Sequence, residues 1–376
     1  MDLVYLDYNA TAPVKPEVTQ VVMSVLNNHG NPSSVHSFGR DARELIEEAR
    51  ESVALMVGSQ SSNVIFTSGG TESNNLAIKL VKKKRLIVSA AEHPSILAAA
   101  DFAGAEKIIL PVDSNGMVSP VMLKDILGPD GTDTLVSIML ANNETGVIQP
   151  IAELAQIARS VGAIIHCDAV QGPGRTAINM DALGIHMLSI SAHKFGGLKG
   201  VGALVISSEQ EVNPIIVGGG QERGWRGGTE NVPGIIGMGK AAQLALLDLD
   251  NIEQIANLRD LLEKKILRIE PDVTIFGDKV DRLPNTSSFT MPGVQSETQV
   301  MALDLAGIAV SAGSACSSGK VEPSHVLTAM GYSEAIGGCA IRVSIGWTNT
   351  EEDIDRFINT WKATYSGLAS RHRNSI

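Results

Sequence analysis

The sequence predicts an α/β fold with a mainly parallel sheet in a large domain, residues 15–249, and a smaller α+β domain made of residues 1–14 and 250–376. Three observations predict it. Short apolar runs of strand length alternate with stretches of helical period as far as Leu249, the pattern of βαβ units. Polar residues gather just past the carboxyl ends of those runs, where open α/β sheets bind their ligands. Beyond Asp250 the alternation gives way to a charged helix and short strands. A chain of 376 residues with 44% hydrophobic content can bury a large core and exceeds the usual single-domain size, which favours the two-domain reading.

In order along the chain, Ala42, Leu45, Ile46, Ala49, Val53 and Met56 share one helical face over 41–57, and Gly58 is a natural stop. Residues 63–67 read as a strand that runs into Ser68-Gly69-Gly70-Thr71-Glu72-Ser73-Asn74-Asn75 and then a helix. Strand, glycine turn and helix N-terminus make a phosphate cradle: glycine lets the backbone approach the anion, while Thr71 and the first free N–H groups donate to it. The same motif is also an ordinary helix cap. It lacks the lysine of a P-loop and the dinucleotide spacing, so the phosphate expected is carried by something other than a nucleotide.

Strands follow at 86–89, 107–110, 135–140 and 163–167, with helices at 94–102 and 151–161. Their ends carry His93, Asn142, Asn143, Asp168 and Gln171. Each has a plainer reading, His93 as the residue before a helix, Asn143 as part of the turn 142–146, Gln171 as a loop cap. Gly218 to Asn231 is the most glycine-dense segment; its arginines could form a second anion-binding loop, a surface loop being the alternative. The apolar stretch 232–249 reads as a long helix that closes the large domain. The remainder reads as a helix over 251–269, short strands near 273–276 and 286–290, a helix over 297–305, a strand over 341–345, and a last helix from Thr350 with Glu351, Glu352 and Asp353 in its first turn, as the dipole favours.

The chemistry centres on Met187-Leu188-Ser189-Ile190-Ser191-Ala192-His193-Lys194, where an apolar strand delivers an amine to a cleft. A partly desolvated lysine has its pKa pulled down and becomes a nucleophile fit for Schiff-base chemistry. Asp168 stands at the end of another apolar run. A lysine and a carboxylate at the ends of neighbouring parallel strands fit the two partners of a pyridoxal phosphate ring, one bonding the aldehyde and the other holding the ring nitrogen protonated.

Cys167, Cys316 and Cys339 are too few for a disulfide framework and point to a reducing compartment. Cys316 lies in Ser311-Ala312-Gly313-Ser314-Ala315-Cys316-Ser317-Ser318-Gly319-Lys320, a run of small residues able to swing, which suits a nucleophile that visits a cleft and leaves it. No signal-peptide pattern and no apolar run of membrane-spanning length are read, so a cytoplasmic protein with no membrane partner is expected. The net charge of −11 argues against nucleic acid.

Six motifs together carry a family resemblance: Ser-Ala-His-Lys, Cys-Asp-Ala-Val-Gln, Ser-Gly-Gly-Thr-Glu-Ser-Asn-Asn, Ala-Glu-His-Pro-Ser, Asn-Asn-Glu-Thr-Gly and Gly-Ser-Ala-Cys-Ser-Ser-Gly. The chain resembles the cysteine desulfurases of the NifS/IscS type, group I, in the class V aminotransferase family, over nearly its whole length. The resemblance implies the pyridoxal-phosphate fold type I, similar to aspartate aminotransferase, with pyridoxal 5'-phosphate as cofactor. It implies a homodimer that takes sulfur from L-cysteine, leaves L-alanine, and passes a persulfide to an iron–sulfur scaffold protein. By the same resemblance Lys194 carries the cofactor, Asp168 pairs with the ring nitrogen, Gln171 bonds the ring hydroxyl, and His93 stacks on the ring and shuttles protons. Gly70, Thr71, Ser191 and His193 would hold the phosphate, with Ala192 beside them and Thr229 reaching in from the second subunit. Asn143 and Arg342 would orient the substrate, Arg342 gripping its carboxylate. Cys316 would accept the sulfur and is also the candidate transient ligand of an iron–sulfur cluster. The rivals are an aminotransferase or selenocysteine lyase of the same fold, and a carrier using His166, Cys167 and Asp168 as metal ligands; adjacent strand residues point to opposite faces, which disfavours the carrier.

Overall fold

The strands follow the apolar runs of the sequence: β1 (Val4–Tyr5), β2 (Val64–Thr67), β3 (Arg85–Ser89), β4 (Glu106–Leu110), β5 (Thr134–Ser137), β6 (Ile164–Asp168), β7 (Met187–Ser191), β8 (Gly202–Ile206), β9 (Thr286–Thr290), β10 (Ile308–Ala309), β11 (Ser311–Ala312) and β12 (Ala340–Ser344). The computed structural model describes residues 3–208, 210, 213–313 and 323–373. Seven strands form the large sheet in the order β2-β8-β7-β6-β5-β3-β4. β8 pairs antiparallel with both β2 and β7, and the other pairs are parallel. The sheet is thus mainly parallel, as expected, with one reversed strand that the sequence reading did not assign.

The pleat sends successive residues into different cores. Val136, Ile165, Leu188 and Val205 enter the cluster built with Val53, Met238 and Ala242, whereas Leu135, Ile164, Met187 and Leu204 enter the cluster built with Leu76 and Ile96. Both faces are therefore covered, which is why these strands read as continuous apolar runs rather than alternating ones. Helices Ser37–Met56 and Val232–Asp248 pack against each other on the first face.

A separate core, away from the two faces of the large sheet, gathers Val4 and Leu6 with Leu262, Ile266, Phe289, Ile341, Phe357 and Trp361. Its sheet, β11-β12-β9, is antiparallel, and β1 pairs parallel with β10. The strand expected at 273–276 is instead an isolated bridge, Ile275 opposite Phe289. Helices Pro16–Val25 and Pro120–Leu127, each opened by proline at its first turn, were not read from the sequence.

Val232–Asp248 continues through a tight turn at Leu249–Asn251 into Ile252–Ile269. One 18-residue window of this unit is long and apolar enough to cross a membrane by length and composition alone. That window is 56% buried inside the fold, and burial in the two cores accounts for its hydropathy.

Candidate active site

A cavity of about 630 Å³ opens where β6 and β7 end, closed from the other side by β11, β12 and helix Ser296–Leu305. Parallel register places Asp168 beside Ser189, so the strand ends carrying Asp168 and Ser191 emerge side by side. The cavity brings together Gly70, Thr71, His93, Asn143, Asp168, Gln171, Ser191, His193, Lys194 and Arg342, ten of the residues singled out in the sequence.

The Lys194 amine donates to the carbonyls of Asn9 (2.6 Å) and Ala10 (2.9 Å). Burial lowers its pKa to about 7, helped by the positive charges of Arg175 and Arg342 and opposed by Asp168 and Asp7. A lysine in that condition is an uncharged base for part of the time at neutral pH.

Asp168 is held on both oxygens. Asn74 Nδ2 donates to Oδ2 at 2.7 Å, and the Val170 backbone N–H donates to Oδ1 at 3.0 Å. Asn74 also donates to Ser95 Oγ (2.9 Å), which in turn meets His93 Nδ1 at 2.8 Å. His93 caps helix Pro94–Asp101 through its ring and lines the cavity as well, so the plainer reading of it as the residue before a helix does not take it out of the cavity wall. Burial lowers its pKa, with Lys194 and His325 acting the same way and Asp168 against them. Burial also pushes Glu92 well above the ordinary carboxyl range, the charge of Asp168 adding to it.

At the other wall, Gly69 has φ 150° and ψ −179°, a conformation all but reserved to glycine. A side chain on Gly70 would fall 2.8 Å from Val170. The turn therefore presses the N-terminus of helix Gly70–Leu80 against the cavity, and no side chain caps that end. Burial, then Lys194, Lys199 and Arg175, bring the His193 pKa down to about 4, so its ring is neutral near pH 7.

Asn142 and Asn143 part company. Asn142 is buried; its side chain accepts from the Glu144 and Thr145 backbone N–H groups within the turn and donates to the Ala91 carbonyl beyond it, whereas Asn143 faces the cavity and its carbonyl accepts from Arg342 Nη1 at 2.9 Å. Arg342 is further held by Asp7, 2.7 Å from Nη2.

Of the other expected site residues, two do not line this cavity and one falls outside the described residues. Ala192 is fully buried, packs beneath Gly197 and spends its N–H on Val201, so it offers the cavity nothing. Thr229 is exposed and does not line the cavity. Cys316 lies outside the described residues, between Gly313, which lines the cavity, and Pro323. The segment read as a second anion loop has its arginines engaged: Arg226 pairs with Glu72 (2.8 Å), and Arg223 donates to the carbonyls of Ser61 and Ser62.

Sequence reasoning missed Asn9, Ala10, Asn74 and Arg175. Arg175 donates to the Gln171 side chain, to Tyr8 O (3.1 Å) and to Lys194 O (3.2 Å). No carboxylate pairs with it among the described residues, and burial brings its pKa down to about 9.

The family model described as aminotransferase class V matches residues 4–357. A protein named cysteine desulfurase IscS from Dictyoglomus turgidum is 47% identical over 363 residues, 94% of this chain and 92% of that one. A cysteine desulfurase from Sinorhizobium fredii is 44% identical over 380 residues, 97% of each chain. Among solved structures, a NifS-like protein from Rickettsia africae superposes with a TM-score of 0.89 at 40% identity, covering 97% of this chain and all of that one. SspA in complex with cysteine superposes at 0.79 with 32% identity, over 91% of this chain and 98% of that one.

Proposed function

Because the chain belongs to the class-V aminotransferase family, we propose that it is a cysteine desulfurase. It takes sulfur from L-cysteine with pyridoxal 5'-phosphate as cofactor and supplies it to iron–sulfur cluster assembly. The observation that carries the reading is one cavity holding a lysine with a pKa near 7, a doubly bonded aspartate and a buried arginine.

The residues fit that cofactor on chemical grounds. The uncapped helix N-terminus beside Gly70 and Thr71, with Ser191 and neutral His193, suits a phosphate. Asp168 suits a protonated ring nitrogen, and Lys194 an aldehyde carbon. Gln171 has Oε1 taken by Arg175 and one Nε2 hydrogen given to the Asn9 carbonyl (3.1 Å), so its second Nε2 hydrogen would meet a ring hydroxyl. When bound, the cofactor supplies an electron sink for the bonds at the substrate α-carbon.

The chain's own residues do the rest. Arg342 and Asn143 hold the substrate carboxylate and so fix which α-substituent faces Lys194. The Lys194 amine takes the α-proton, its lowered pKa letting it accept and return a proton near pH 7. His93, with Nδ1 occupied by Ser95, keeps Nε2 to hold or pass a proton. The Cys316 thiolate attacks the substrate sulfur. A sulfur–sulfur bond forms, the carbon–sulfur bond breaks with its electron pair left on carbon, and that carbon takes a proton to leave as L-alanine.

The working protein is a cytoplasmic homodimer whose exposed Thr229 serves the partner's cavity, and its sulfur goes to an iron–sulfur scaffold protein. Residues 15–249 form the cofactor-binding domain, and residues 1–14 and 250–376 the domain that bears Cys316, which is also the candidate transient cluster ligand. Replacement of Cys316 by Ser tests the reading: it should end sulfur release from L-cysteine while the protein keeps its bound cofactor. An aminotransferase would be indifferent to the change.

A further inference from the structure

The charged residue nearest to Arg342 comes from the N-terminal segment. Asp7 Oδ1 accepts from Arg342 Nη2 at 2.7 Å, and Asp7 Oδ2 accepts from Ser311 Oγ at 2.9 Å. Ser311 and Arg342 are register partners across β11 and β12, so one carboxylate spans a cross-strand pair. The segment is itself fixed. Asp7 bridges Ser344, the residue two beyond Arg342 on β12, and the Tyr5 hydroxyl donates to the carbonyls of Asp7 (3.1 Å) and Thr11 (2.8 Å).

Arg342 is 6% exposed and lines the cavity. Its two Nη atoms are engaged by Asp7 and by the Asn143 carbonyl, while Nε is buried with no partner. A guanidinium has five N–H groups in a rigid fork, so two holders on the Nη atoms still leave donors for an incoming carboxylate. Without Asp7 the buried guanidinium would lose its direct ion pair and, held only by a backbone carbonyl, would reorient.

We propose that Asp7 is a positioning residue for substrate recognition: its carboxylate sets the orientation of the Arg342 guanidinium against β11 so that the remaining N–H groups meet the α-carboxylate of an amino-acid substrate. The inference rests on the reading of Arg342 given above. It assigns the residue that makes this arginine selective for α-carboxylates, and Asp7 does not itself touch the substrate.

The test compares binding of L-alanine with binding of ethylamine, the same molecule without its carboxylate, to the cofactor-loaded protein, followed by absorbance. Wild type, Asp7→Asn, Asp7→Glu and Arg342→Ala are compared. Asp7→Asn should weaken L-alanine at least tenfold and raise the KM for L-cysteine similarly, with kcat within about threefold and ethylamine binding unchanged. Arg342→Ala should remove the preference for L-alanine. Asp7→Asn binding both ligands as wild type does, while Arg342→Ala loses the preference, overturns the role of Asp7 alone. Arg342→Ala retaining the preference overturns the reading of Arg342. If Asp7→Asn does not fold, Asp7→Glu decides: its extra methylene should weaken L-alanine at least threefold and leave ethylamine alone, and equal binding of both would overturn the inference.

Discussion

Arg175 lies behind Lys194 and donates from Nη2 to its backbone carbonyl at 3.2 Å, so a buried cation is fixed at the root of the lysine whose amine enters the cavity. The same guanidinium grips Gln171 and Tyr8 O. Backbone position, side-chain orientation and charge at the site thus depend on one residue. The other charged groups facing Lys194 are Arg342, which acts with Arg175, and Asp168 and Asp7, which act against it.

Replacing Arg175 by Gln removes one of the charges that disfavour the ammonium form. The Lys194 pKa should rise from about 7 by about 1 pH unit, and Arg175→Lys should move it less. The pH dependence of Lys194 acetylation in the cofactor-free protein, read by mass spectrometry, checks this. An unchanged titration in Arg175→Gln would contradict it.

Asn74 donates to Asp168 Oδ2 and links it to Ser95 and His93. Hydrogen bonds to charged groups contribute roughly 1.5–3 kcal/mol, so Asn74→Ala should lower kcat about 10-fold or more, while Asn75→Ala, whose side chain donates only to Thr71 O, should not. Steady-state alanine release from both variants decides it.

How much of this was legible in the sequence follows from what a motif can carry. Lys194, Asp168 and Asn143 could be read because each ends an apolar run or sits in its turn, and a parallel sheet then gathers such ends without further information. Asn9 and Ala10 could not, because they act through backbone carbonyls that any residue type supplies. Asn74 was inside a quoted motif, but which residue of a helix turn faces a neighbouring strand end is set by packing. Arg175 sits four residues after Gln171 in a glycine-containing loop with no periodicity, and only the fold places its guanidinium under Lys194. β8 reads as an apolar run, and strand direction is not written in composition.

A structural prediction concerns the Gly218–Asn231 segment. Arg50 donates from both Nη atoms to Glu222 (2.7 and 3.1 Å), and Glu222 also accepts from the Phe66 backbone N–H. Both side chains are buried, so Arg50→Ala leaves a carboxylate without its counter-charge. It should cost about 3–5 kcal/mol in denaturant unfolding. A loss under 1 kcal/mol would show that Glu222 is compensated otherwise.

Glu144 gives a pH signature. Burial raises its pKa to about 7 from 4.5, against the hydrogen bond from Ser324 and the charge of Arg342. Between those values the unfolded chain has lost the proton that the fold retains, so stability falls as pH rises from about 4.5 to about 7 and the penalty is complete above it. Glu144→Gln should therefore raise the Tm relative to wild type at pH 8 and give little gain at pH 4.5. Thermal melts at the two pH values check this, and a gain equal at both would contradict it.

The central claim, that a lysine and an aspartate at two strand ends serve sulfur transfer to Cys316, is tested most directly by the mass of the protein after brief exposure to L-cysteine. One additional sulfur atom on the peptide bearing Cys316, formed with an equal amount of L-alanine and absent in Lys194→Ala, is the predicted result. L-alanine released with no added sulfur on Cys316, or no L-alanine at all from the cofactor-loaded protein, would contradict it.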